Sequence, residues 1–190
     1  MMNMLSNWHL ESNIIISLLD NFLMSLHYGF LSVKLQNKDI DNSSLSRVIT
    51  EIYKKRPKDI ENAYGNYLAL TRTDGVFCYE KKFHELGTLQ LRILVDPKEK
   101  LDRKVLVVRK AGMKLFRLSH ISKLVPFTGI LELKGKELNS FFREMESVAH
   151  DSWEPGRHSK KQLAKEYFEE PRLISIISDF EAEYLGFDTY

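Results

Sequence analysis

The chain has 190 residues, 43% hydrophobic and 28% charged, with a formal net charge of +2. That composition can bury a core without staples and excludes wholesale disorder. A single cysteine, Cys78, excludes a disulfide framework and any multi-cysteine zinc site and suits a reducing compartment, and so small a net charge does not mark the whole chain as a nucleic-acid or membrane binder.

Residues 12–28 read as a helix, with Ile15, Leu18, Leu19, Phe22 and Leu26 at helical spacing, Ser12 able to cap the start and Gly29 to close the end. The run Ile14 to Leu19 has no Lys or Arg before it, is followed by no small-residue cleavage site and is interrupted by Asp20, Asn21 and His27. It is therefore expected to be a helix buried in the domain, and the protein to be cytoplasmic. Phe30 to Leu35 alternates like a half-buried strand, and Asn37 to Ser44 reads as a polar turn. Leu45, Val48, Ile49 and Ile52 predict a second helix stopped by Pro57; Ile60, Ala63, Tyr64, Tyr67 and Leu68 predict a third. Thr71 to Gly75 reads as a loop.

Val76 to Tyr79 looks like strand core, which would bury Cys78 as an inert thiol. Leu89, Leu91, Ile93 and Val95 alternate as a strand, and Val105 to Val108 is a β-branched run suited to a central strand. Gly112 separates it from a further strand beginning at Met113, and Gly129 to Leu133 makes another. Lys136 onward returns to helix, with Leu138, Phe141, Phe142 and Met145 on one face. After a loop carrying Trp153 and Pro155, Ser159 to Gln162 has a capping-box pattern leading a helix to Phe168, and Pro171 opens a last helix. The expectation is α+β: a mixed sheet of about four or five strands flanked by helices, as a domain over 1–150 and a helical C-terminal tail over 151–190.

Charge is densest between Lys98 and Lys123, where nine basic residues accompany Glu99 and Asp102. Arg109-Lys110-Ala111-Gly112-Met113-Lys114 is its sharpest feature: a glycine turn flanked by cations that could reach an anion. Arg103, Lys104, Arg117 and Lys123 extend the segment as nucleic-acid candidates, although no aromatic residues interleave with the cations as in single-strand binders. The alternative is a solvated hairpin with a basic outer face. His150, Asp151, Glu154 and His158 form a second cluster whose types could ligate a metal, but Pro155 and Gly156 oppose the helical geometry that convergence needs. No nucleotide-binding loop or activated serine motif occurs, so no catalytic residue is assigned.

The string from Arg103 to Phe116 (RKVLVVRKAGMKLF), followed by Pro126 to Pro155 with its H-x-x-W-E-P loop, resembles the C-terminal half of bacterial GHKL-type ATP-binding proteins. These relatives of the gyrase, chaperone, histidine-kinase and MutL ATPases are often encoded among anti-phage defence genes. The opening from Leu18 to Leu35 resembles the point where their ATPase module hands over to the next domain. Leu19-Asp20-Asn21-Phe22 lacks the glutamate of the magnesium-holding helix, Thr73-Asp74-Gly75-Val76 lacks the second glycine of the adenine loop, and no glycine-rich lid occurs.

The resemblance thus implies a transducer-like part without its nucleotide-binding module, which would be supplied in cis or in trans together with its ATP and magnesium. It further implies that one basic side chain, Lys110 or Lys114 and next Arg109, senses a terminal phosphate. Partners would be that module and DNA, with a homodimer allowed and no membrane. A free-standing nucleic-acid-binding module is the alternative.

Overall fold

The computed structural model describes residues 2–83, 85–96, 98, 101–119 and 126–167. The chain opens with α1 (Met2–His27), a hairpin of β1 (Val33–Leu35) and β2 (Lys38–Ile40), and the helices α2 (Leu45–Lys55) and α3 (Pro57–Thr71). There follow β3 (Val76–Phe83), β4 (Gly87–Val95), β5 (Lys104–Val108), β6 (Lys114–Leu118) and β7 (Phe127–Lys134). α4 (Lys136–Glu144), a 3-10 turn (Pro155–Arg157) and α5 (Lys161–Tyr167) complete the described chain. The fold is α+β, with a five-stranded mixed sheet in the order β3-β4-β7-β5-β6 and a separate two-stranded sheet.

Both hairpins of the large sheet are antiparallel, and β7 inserts between them, antiparallel to β4 and parallel to β5. β5 is consequently flanked by strands and covered on both faces, which explains its unbroken apolar run. On one face Leu94, Leu106, Val108 and Ile130 pack against Met24 of α1 and Ala69 of α3. On the other, Leu91, Val107 and Leu131 meet Phe141 and Phe142 of α4 together with Trp153 and Ala164. Trp153 and Ala164, from the segment expected to be a helical extension, lie in this cluster. A third cluster joins α1, α2, α3 and the small hairpin through Leu19, Ile40, Ile49 and Ile60.

Several elements have the ends their residues dictate. Gly29, at φ 73, closes α1 with its N–H on the Leu26 carbonyl. Pro57 starts α3 at a position that needs no N–H donor. Arg56 ties this corner to α1 by donating to Ser12 Oγ and Asn13 Oδ1, and it also donates to Asp59 Oδ2 in the first turn of α3.

Four expectations are corrected. α1 begins before Ser12, which lies mid-helix and donates back to the His9 carbonyl instead of capping. The polar stretch after Asn37 contains β2, a strand formed by its pairing with β1 and anchored by buried Ile40. Cys78 is exposed on the edge strand β3, where the side chain of an outward position meets no second layer. α5 starts at Lys161, so Lys160 and not Ser159 precedes it, and the Ser159 hydroxyl donates to Glu144 at 2.8 Å while Ala164 N–H closes on the Lys160 carbonyl. The helix expected after Pro171 lies outside the described residues.

Candidate functional site

The β5–β6 turn is built from Arg109 to Met113. Arg109 N–H bonds to the Met113 carbonyl at 3.0 Å, and Gly112 N–H bonds to the Arg109 carbonyl at 2.7 Å. Gly112 has φ 77, and a Cβ on it would lie 2.5 Å from the backbone nitrogen of Ser25. The glycine thus serves a close approach between the turn and α1, not to a ligand. Ser25 Oγ secures the contact by donating to the Ala111 carbonyl at 2.6 Å.

A second clamp holds the other flank. Lys110 N–H donates to Asn139 Oδ1 at 3.0 Å, and the Asn139 amide donates to the Leu133 carbonyl at 2.7 Å and the Gly135 carbonyl at 2.8 Å. One α4 side chain thereby ties the turn to the β7–α4 junction. With its backbone fixed on both sides, Lys110 projects an exposed side chain that has no ion-pair partner among the described residues.

The other cations of the turn are engaged. Arg109 donates to Glu146 at 2.5 Å, and His150 Nδ1 lies 3.0 Å from the same carboxylate. Lys114 and Arg117 both bond Asp20 on α1, Arg117 at 2.5 Å. Residues three apart on a regular strand face opposite sides. Here a bulge between Val107 and Val108 places Lys114 opposite Val108 and Arg117 opposite Leu106, so both share the α1 face. Burial favours the protonated Asp20 carboxyl, but the hydrogen bonds and charges of Arg117 and Lys114 outweigh it and hold its pKa below the ordinary value.

The wider basic segment does not form one continuous face. Arg103 is exposed with φ 53, and Lys104 lies 3.8 Å from Asp102. Burial raises the pKa of that carboxyl against the pull of Lys104 and Arg117. Lys123 lies outside the described residues. The four candidate metal ligands also go to separate partners: His150 to Glu146, Asp151 to Ser147, Glu154 to Arg157, and His158 onto the Phe141 ring with its Nδ1 accepting from Lys160 N–H. Among the described residues no group of three or more His, Cys, Asp or Glu could hold a metal ion.

The turn opens onto a cleft of about 220 Å³ beside α4, which Arg109, Lys110, Lys136, Asn139, Arg143 and Glu146 help to line. Lys136 and Arg143 come from α4, outside the basic segment of the sequence. Their spacing along an otherwise amphipathic helix gave no hint of the turn beside them. Asp20 and Asn21, the pair that the sequence resemblance sets against a magnesium-holding helix, are engaged within the chain. Asp20 accepts from two cations, and the Asn21 amide donates to the Ser17 carbonyl at 2.8 Å. Among the described residues, no helix is long and apolar enough to cross a membrane. No family model, curated protein or solved structure matches the chain.

Proposed function

We propose that this chain is the non-catalytic transducer and C-terminal segment of a GHKL-type ATP-binding system, coupling the ATP state of a separate module to partner or DNA contacts, with anti-phage defence as a setting. The observation that supports the reading is the double clamp on the R-x-x-G-M turn. It presents an exposed lysine, without an ion-pair partner among the described residues, from a backbone fastened to α1 and α4. A cation held this way suits a terminal phosphate, because its charge is uncompensated until the anion arrives and unpaired again after cleavage. Lys110 is the sensor in this proposal. Lys114 instead fastens the sheet to α1, and Arg109 orders the loop through Glu146.

The test combines the chain with the ATPase module of a GHKL protein whose C-terminal half carries the same R-x-x-G-M and H-x-x-W-E-P strings. Lys110→Ala is expected to lower phosphate release by about a hundredfold. Release at the wild-type rate overturns the sensor assignment, and calorimetry detecting micromolar ATP affinity in the isolated chain overturns the non-catalytic reading.

A further inference from the structure

The cationic cleft continues past Lys110 into a second cleft of about 370 Å³, to which Tyr28, Phe30, Glu132 and Lys134 contribute; Lys110 and Leu133 line both. Phe30 is 67% exposed and Tyr28 44% exposed, and their ring centroids are 5.7 Å apart at a 49° tilt. These rings do not belong to a fraying terminus. Phe30 N–H bonds to the Ser25 carbonyl at 2.8 Å, so the shelf hangs from the same turn of α1 that grips Ala111. Two exposed aromatic faces on a secured backbone lie directly beside a row of cations.

We propose that this joined surface binds single-stranded nucleic acid, with bases stacking on Phe30 and Tyr28 and the phosphate backbone running past Lys110 into the α4 cleft. Five cations line the two clefts (Arg109, Lys110, Lys134, Lys136 and Arg143) against the two carboxylates Glu132 and Glu146. Both carboxylates are occupied: Glu146 by Arg109, and Glu132 by the Tyr28 hydroxyl at 3.4 Å and Lys134 at 4.0 Å. Lys110, Lys136 and Arg143 have no ion-pair partner among the described residues, and the buried Arg109 Nε has no hydrogen-bond acceptor. Exposed rings beside cations without a carboxylate partner are the combination by which single strands are held without sequence preference. A duplex, with its bases already stacked on one another, cannot use the aromatic shelf. The proposal shares Lys110 with the sensor reading but needs no ATPase module, and its tests at Phe30, Lys136 and Arg143 leave Lys110 untouched.

Fluorescence anisotropy of the full chain with a labelled oligothymidylate of about 20 nucleotides tests it. Binding at about 50 mM salt is expected, weakening steeply as salt rises. Phe30→Ala is expected to weaken it about tenfold or more. The double variant Lys136→Ala/Arg143→Ala is expected to lower the log–log salt slope by about 1.4, the single-strand value for two phosphate contacts. All three positions are exposed, or at a helix surface, and circular dichroism matching wild type verifies the fold. Failure to bind at low salt, an unchanged affinity in Phe30→Ala, an unchanged salt slope in the double variant, or tighter binding of a duplex of equal length overturns the proposal.

Discussion

Cations on the two flanks of the β5–β6 hairpin have opposite fates. Toward α1, Lys114 and Arg117 are only 20% and 15% exposed and converge on Asp20, so their charge is spent joining a helix to a sheet. Toward α4, Lys110 lines a cleft with Lys136 and Arg143, and the carboxylate in that lining, Glu146, is already held by Arg109. A basic stretch of sequence therefore divides into a structural half and an available half. The division depends on which cations find a carboxylate, not on how many there are.

The largest test of this contrast attacks the seam. Gly112→Val is expected to destabilise the protein by about 3 kcal/mol in urea unfolding, because φ is positive and the added Cβ meets α1 backbone. Loss of less than about 1 kcal/mol would show that the turn can lift from α1 without consequence. Next, Asp20→Asn is expected to cost about 2 kcal/mol near neutral pH by leaving two partly buried cations without their counter-charge and with one acceptor oxygen fewer. Because the folded carboxyl titrates below its unfolded value, this contribution is complete above about pH 4 and is lost as pH falls through the depressed folded pKa. The gap between wild type and Asp20→Asn should therefore narrow in acid. The smallest effect belongs to the other flank: Lys110→Ala should change stability by less than about 0.5 kcal/mol, since its side chain supports no contact that folding needs. A larger loss would place Lys110 with the structural cations.

Much of the fold was readable locally. Leu45, Val48, Ile49 and Ile52 are all buried in α2, Pro57 starts α3, and Leu89, Leu91 and Ile93 alternate inward from β4. What escaped was decided by partners distant in the chain. Lys38–Ile40 is too short and polar to declare itself a strand, and exists through Val33 to Leu35. Cys78 looked buried because its neighbours are apolar, yet it sits on a sheet edge. Asp20 lies 97 residues from Arg117, and the bulge that aligns Arg117 with Lys114 is invisible to a period-two reading. In the candidate site, Arg109, Lys110 and Gly112 are adjacent in the chain and fall in one turn between β5 and β6. The aromatic residues beside these cations, Tyr28 and Phe30, and the further cations Lys136 and Arg143 come from segments distant in the chain, which no local reading of the basic segment reaches.

The central position of β7 also has a kinetic meaning. Each hairpin, β3–β4 and β5–β6, can zip from its own turn, but the edges they must share are joined only by a strand made after both. During synthesis, β4 and β5 must wait with unsatisfied amides and carbonyls until Phe127–Lys134 leaves the ribosome, and the parallel β5–β7 contact makes that last step a slow, non-local closure. A nascent chain stalled before β7 would expose two open ladders at once, making it the stage most vulnerable to self-association.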